Sequence, residues 1–370
     1  MAFKILNTIS ETIKNRKSTV YIHIGTQKTG SSSIQQFLTQ NRDPLKELNF
    51  IYPDLNSISS SYLVGHFGFN LPKDSNARRN THDVKQQRAF LEERINNVAG
   101  EKDNIIISSE GFSSIWFPNA LNSLNMIKSY FKNRKIKIIC YLRRQDYYLE
   151  SSYNQVIKAG HFDSTIQDYI SKRIKIGNCD YYHLLTVYSE VFGKENIIVK
   201  TFEPKINPRT QIFHDFMDIL GLKDYSKLKI PKATVNRSFS KEMIEMVNMV
   251  PQQQRRKLMR LLDKVDIGRG SEYYLTSPTE RINILKHFND SNSKVAQEFC
   301  NRNDGVLFTE PWPKPNDPWK QINDEYDPKD SIRILLDVIL KQEDKALEQE
   351  NRLKRIERRI FEKNKPSSES

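Results

Sequence analysis

Cysteine is scarce and scattered. Cys140, Cys179 and Cys300 are the three in 370 residues, and no two share a C-x-x-C spacing. That pattern indicates neither a zinc site nor a disulfide framework, and it fits a cytoplasmic, reducing setting. Long apolar runs are missing too: no stretch approaches the roughly 18 apolar residues of a transmembrane segment. Met1 to Lys17 lacks the apolar core and small-residue cleavage site of a secretion signal. Within it, Phe3, Leu6, Ile9 and Ile13 make one helical face among basic residues, which leaves peripheral attachment to a membrane surface open beside packing on the domain. Internal repeats and metal-ligand clusters are not visible.

Negative charge is in short supply. Lys and Arg number 58 against 45 Asp and Glu, a net charge of +13. Anionic partners follow, either nucleic acid or a multiply charged nucleotide; a lysine-rich solvated surface accounts for much of the excess. The 37% hydrophobic and 28% charged residues are ordinary for a globular protein, and the length suits one large or two small domains.

What is present is organised around one stretch, Val20 to Gln35. Val20, Ile22 and Ile24 read as a short buried strand. Gly25-Thr26-Gln27-Lys28-Thr29-Gly30 then turns the chain, and Ser31, Ser32 and Ser33 open a helix. Strand, glycine-bounded loop and helix start form an anion cradle: backbone N–H groups and the positive end of the helix dipole converge, and Lys28 adds a mobile charge. A nucleotide-triphosphate loop places its lysine after the second glycine. Here Lys28 precedes Gly30, giving K-T-G-S-S.

That order resembles the phosphosulfate loop of sulfotransferases that use 3′-phosphoadenosine 5′-phosphosulfate (PAPS). The resemblance implies that Lys28 touches the bridging oxygen and the sulfate, and that Gln27, Lys28 and Thr29 to Ser32, including Gly30 and Ser31, cradle the 5′-phosphate. A second motif supports it. Lys135 to Leu142 reads as a strand running into Arg143-Arg144-Gln145-Asp146, and Ser151 lies eight residues after Arg143 on the following helix. In that family an Arg…Ser pair at this junction grips the nucleotide's 3′-phosphate. Arg144 and Ser152 share the spacing, and Arg143 is preferred because it is nearer the strand end. The phrases Ile106-Ile107-Ser108-Ser109-Glu110 and Tyr141-Leu142-Arg143-Arg144-Gln145-Asp146 look like the carbohydrate-sulfating branch.

Two residues compete as catalytic base. Glu110 follows a buried strand, Asn104 to Ser108, and strand carboxyl ends face the ligand crevice of a doubly wound sheet. His66 lies in Gly65-His66-Phe67-Gly68-Phe69, inside a long Ser, Asn and Gly-rich loop from Asp54 to Thr81, and falls where the carbohydrate branch tends to carry a histidine. Related enzymes differ on this point, so both stay open.

The resemblance runs from about residue 19 to 222 and weakens beyond. Further elements are expected at Phe50 to Pro53 (strand), Val84 to Val98, Asp163 to Lys175 and Asp180 to Phe192 (helices), Asn196 to Phe202 (strand) and Thr210 to Leu220 (a helix stopped by Gly221). Tyr181 and Tyr182 are either core residues or the lining of a sugar site. Met243 to Val265 and Pro278 to Asn301 read as helices, and Arg237 is a candidate donor contact in place of the family's missing Arg-Lys-Gly loop.

The expected layout is an N-terminal segment (1–18), a sulfotransferase-like domain (19–305), a Pro/Trp linker (306–329), a long polar helix (330–362) and a disordered tail (363–370). Leu335, Ile339, Leu353, Ile356 and Ile360 fall on a 3/4 spacing along that helix, interrupted by Gln342, Ala346 and Gln349. A strong coiled coil is disfavoured, leaving weak dimerisation or a packed arm.

Together these readings give an α/β fold, a mostly parallel central sheet flanked by helices (P-loop-like) with a helical C-terminal extension. The implied activity is transfer of a sulfuryl group from PAPS to a carbohydrate hydroxyl, leaving 3′,5′-adenosine bisphosphate (PAP), with no metal. The rivals are a P-loop kinase or ATPase using ATP–magnesium and, on charge alone, a nucleic-acid-binding protein.

Overall fold

The computed structural model describes residues 18–54, 89, 92–113, 120–158, 165–231, 239–262, 274–320 and 328–363. In chain order the elements are β1 (Thr19–His23), α1 (Ser31–Gln40), α2 (Arg42–Glu47), β2 (Phe50–Ile51), a π turn (Glu92–Asn96), β3 (Asn104–Ser108), a 3-10 turn (Glu110–Ser113), α3 (Ala120–Tyr130) and β4 (Lys135–Leu142). They continue with α4 (Gln145–Lys158), α5 (Ile166–Lys175), α6 (Tyr181–Phe192), β5 (Ile197–Thr201), α7 (Gln211–Leu220), α8 (Lys241–Met249), α9 (Gln252–Leu262), α10 (Pro278–Cys300) and α11 (Pro328–Lys363).

The strands form one sheet in the order β2-β3-β1-β4-β5, and all pairings are parallel. Parallel strands are covered on both faces, so their side chains are apolar on both sides of the pleat. Val20, Ile22, Ile105, Ile107, Ile138 and Cys140 share one core with Leu124 of α3 and Leu184, Leu185 and Tyr188 of α6. The alternate residues Tyr21, Ile106, Ile139 and Tyr141 share another with Ile34, Phe37 and Leu38 of α1 and Phe213 and Phe216 of α7. Phe37 is fully buried, its ring 5.3 Å from that of Phe213, so truncating it to alanine should cost about 3–5 kcal/mol.

This topology sets the site. From β1 the chain builds β2 and β3 on one side, then crosses to β4 and β5 on the other. The carboxyl end of β1 is thus a topological switch point, where open parallel sheets bind ligands. Local signals fix the ends of neighbouring helices. Asp180 caps α6 by accepting from the His183 N–H at 3.1 Å, and Gly221 stops α7 in the left-handed region at φ 75°.

By contacts the chain divides into two compact units. The sheet unit takes the described parts of Met1–Leu149, Ile170–Val235 and Arg281–Pro313; the other takes those of Glu150–Tyr169, Asn236–Glu280 and Lys314–Ser370. The second unit is held by side chains that bond irregular backbone. Asn154 accepts from the Phe239 N–H and donates to the Phe239 carbonyl, both at 2.9 Å. Glu150 accepts from the Leu275 N–H at 3.0 Å and the Thr276 hydroxyl at 2.9 Å.

Two expectations need correction. The helix read over Met243 to Val265 is two, α8 and α9, because Val250-Pro251 separates them and proline cannot continue the ladder. Within Val84 to Val98, Ala89 is helical, and Glu92–Asn96 forms a π turn where the sequence predicts a regular helix. On α11 the apolar residues Leu335, Ile339, Leu353 and Ile356 are exposed, while Ile334 and Val338 are buried. Residues 1–17, most of the 54–81 loop, the 232–238 segment and the 364–370 tail lie outside the described residues.

Candidate active site

The loop after β1 is locked to the sheet from below. The Thr26 N–H donates to the Tyr141 carbonyl at 2.8 Å, and the Tyr141 N–H donates to the Gly25 carbonyl at 2.6 Å. Both the Thr29 hydroxyl (2.6 Å) and the Ser31 hydroxyl (2.9 Å) donate to the Thr26 carbonyl. These two side chains are buried and brace the loop from inside. With these hydroxyls turned inward, the groups that Thr29 and Ser31 can offer an anion are their backbone N–H groups. Ser32 is exposed and Gln27 half-buried.

Gly30 is the N-cap of α1, in the left-handed region at φ 85°, and it provides no side-chain cap. The first N–H groups of a helix have no partner inside it. No acidic residue occupies the first turn of α1. The result is an uncapped positive end suited to an anion. The left-handed backbone favours glycine here, and a Cβ would come within 2.9 Å of the Ile212 Cδ1 methyl, which would have to move aside.

Lys28 also has positive φ, 64°. Its ammonium pKa is pushed down chiefly by burial and further by the Arg143 charge, while Glu110 opposes the shift. Glu110 begins the 3-10 turn beyond β3, and the Ser109 N–H before it donates to the His23 carbonyl at 3.0 Å. A Cβ on Gly25, itself at φ 93°, would lie 3.3 Å from Glu110 Cα, so the backbone of Glu110 is set beside the first glycine of the loop. Burial pushes its pKa up and the Lys28 charge pulls it down.

Arg143 reaches the loop from the end of β4. Its guanidinium donates to the Lys28 carbonyl at 3.0 Å and lies 6.0 Å from the Phe202 ring. The neighbouring arginine is committed elsewhere. Arg144 makes a two-pronged pair with Asp146 at 2.9 and 3.0 Å, and Arg281 of α10 adds bonds of 3.1 and 3.0 Å to the same carboxylate. All three are nearly inaccessible. In the second unit the Ser152 hydroxyl bonds the Tyr169 hydroxyl at 2.6 Å and is buried, whereas Ser151 is half-buried on α4.

Lys28, Glu110 and Arg143 are thus gathered around the loop. His66 and Arg237 lie outside the described residues. Tyr181 does not line a sugar site: it is 2% exposed and its hydroxyl donates to the Arg143 carbonyl at 2.6 Å. The Tyr182 hydroxyl donates to Glu298 at 3.0 Å on an exposed face. Sequence reasoning missed Phe202, which lies under Gly30 and beside Arg143. It also missed the Asp146–Arg281 tie, whose partners are 135 positions apart and carry no local signal. Among the described residues no group of three or more His, Cys, Asp or Glu could hold a metal ion, and no helix is long and apolar enough to cross a membrane.

No protein-family model matches the chain. A curated relative from Archaeoglobus fulgidus, described as an uncharacterized protein, is 32% identical over 216 residues, 56% of this chain and 56% of its own. The chain therefore spans about half the length of the curated relative it matches. The crystal structure of a sulfotransferase from Alicyclobacillus acidocaldarius aligns with 64% of this chain and 93% of its own, at 16% identity and a TM-score of 0.41. At that score the likeness carries no argument about chemistry, which rests on the loop itself.

Proposed function

We propose that the chain transfers a sulfuryl group from PAPS to a hydroxyl of a carbohydrate acceptor. The observation that carries this reading is the uncapped start of α1, with Lys28 and the Arg143 guanidinium on the loop before it and Glu110 beside Gly25. The donor brings the sulfuryl group and a phosphate leaving group. Backbone N–H groups of the Lys28–Ser32 turn hold the 5′-phosphate, and Lys28 neutralises charge that grows on it as the bond to sulfur breaks. Arg143 holds the 3′-phosphate by charge-assisted bonds; Ser151 enters as its companion on the resemblance alone. Glu110 accepts the proton of the attacking hydroxyl. PAP and a sulfate ester are the products.

Burial supports Glu110 in that role. A carboxylate with a raised pKa is a stronger base, and a rigid strand end holds it where a hydroxyl has to arrive. The committed geometry of Arg144 and Ser152 supports Arg143 and Ser151 over that second pair.

The deciding experiment compares ligands on the full chain. PAP should raise the melting temperature and ATP–magnesium should not, and PAPS with a carbohydrate acceptor should release PAP in the presence of excess chelator. Stabilisation by ATP–magnesium with none by PAP overturns the reading in favour of a kinase or ATPase.

A further inference from the structure

The described side chains of α11 divide into two parts. In the first, Ser331, Ile334 and Val338 are buried, and α8 packs against the helix. From Gln342 to Ile356 every residue is exposed. One stripe nevertheless presents exposed apolar residues in both parts. Ile332, Leu335, Ile339, Leu353 and Ile356 are 51, 43, 57, 60 and 44% exposed. They occupy the a and d positions of one heptad frame that begins with Ile332 as a. Gln342, Ala346 and Gln349 fill the remaining a and d places. An amphipathic helix is expected to bury such a stripe.

The flanking charges identify what covers it. In this frame the e positions carry Glu343 and Glu350, and the g positions carry Lys345 and Arg352. In a parallel two-stranded coil each g residue faces the e residue five positions later on the other strand. Lys345 then faces Glu350 of a second copy, and Arg352 faces position 357, where the sequence has glutamate. In an antiparallel coil g meets g and e meets e, so lysine and arginine would face each other, as would the glutamates. The charges therefore select one orientation. Within its own helix Glu350 pairs with Lys354 at 2.7 Å, but both are more than half exposed. Such a pair contributes little and leaves Glu350 able to accept from another strand.

We infer that α11 forms a parallel, in-register, two-stranded coiled coil with α11 of a second copy of this chain. The two glutamine layers bond across the seam only when in register, so they fix alignment at some expense of stability. α8 lies on the c and g side of the helix, roughly a third of a turn from the seam, and leaves the seam open.

The test is sedimentation equilibrium on the full chain with three charge variants, and disulfide cross-linking of a fourth. Lys345→Glu and Glu350→Lys should each raise the dimer dissociation constant about five- to tenfold, because two symmetry-related attractions become repulsions. The double variant Lys345→Glu/Glu350→Lys should return to within about twofold of the parent. Residues five apart do not face each other on one helix, so such a rescue arises only between strands. Leu353→Cys should oxidise to a dimer linked through position 353 on both chains. A monomer at every concentration, as expected if a segment of the same chain covers the seam, overturns the inference. So does a dimer indifferent to the charge swaps, or one that Leu353→Cys fails to link.

Discussion

Arg143 and Lys28 stand 115 positions apart, and the guanidinium of the first donates to the carbonyl oxygen of the second across 3.0 Å. A strand-end arginine thus rests on the backbone of the loop that starts α1, and two positive groups converge where a multiply charged nucleotide would lie. Their mutual repulsion contributes to the lowered pKa of Lys28. An anion there relieves that repulsion, so the charge arrangement favours the bound state.

The first prediction uses this pair to read the 3′-phosphate. At a hundredfold excess over its dissociation constant, PAP should stabilise the fold by about 2.7 kcal/mol. 5′-AMP lacks the group that Arg143 would hold and should do much less. In Arg143→Ala the two ligands should give similar, smaller shifts. Equal shifts in the unmodified protein would remove Arg143 from the 3′-phosphate.

Glu110 makes a prediction about pH. A base works deprotonated, and burial raises the pKa of this carboxyl. The rate should fall on the acid side at a higher pH than an ordinary glutamate would give. Because Lys28 pulls that pKa down, Lys28→Met should move the acid limb further up as well as lowering kcat. Glu110→Gln should lose about 10²- to 10⁴-fold in kcat with PAP binding intact. Near-normal kcat in that variant would transfer the role to His66.

Gly30 tests the loop by geometry. Gly30→Ala places a side chain at φ 85° and within 2.9 Å of Ile212 Cδ1. The left-handed conformation alone costs about 1–2 kcal/mol, and the Ile212 side chain has to move aside. The expected outcome is a folded protein with a lower melting temperature and weakened PAP binding. Adding Ile212→Val should restore part of both. A Gly30→Ala protein with unchanged PAP affinity would show that the helix start does not hold the phosphate.

Much of this was legible from local pattern. Val20, Ile22 and Ile24 announced β1, Lys135 to Leu142 marked β4 to the residue, and Gly221 marked the end of α7, because strand apolarity and a left-handed stop act within a few residues. Glu110 could be suspected as a group just beyond a strand end, but its closeness to Gly25 depends on β3 pairing with β1. The inward bonding of the Thr29 and Ser31 hydroxyls is hidden from the sequence for a related reason. Their partner is a carbonyl inside the same loop, and a loop's internal bonding is not written in residue types. On α11 two apolar stripes compete at similar spacing, and only the packing of α8 distinguishes the buried one from the exposed one.

The last prediction concerns His23, which lies behind the loop on β1. It is fully buried, with Nδ1 bonded to the Ser108 hydroxyl at 2.8 Å, Nε2 without a hydrogen-bond partner among the described residues, and the rings of Tyr141 and Phe216 at 5.7 and 5.9 Å. Burial there lowers its pKa from 6.5 to about 3. The folded chain therefore keeps the imidazole neutral at pH values where the unfolded chain has already taken up a proton. Protons then favour the unfolded state, so this residue's contribution is full above about pH 6.5 and is lost as pH falls toward 3. The slope it adds is about 1.4 kcal/mol per pH unit. Denaturant unfolding of the parent and of His23→Gln, measured from pH 7 to pH 4, isolates the term, since most other groups titrate alike in both. The stability difference between them should shrink steadily as pH falls, and the variant, though weaker at pH 7, should approach or overtake the parent by pH 4. A constant difference would mean that His23 accepts a proton in the folded chain and that its surroundings are wetter than this packing allows.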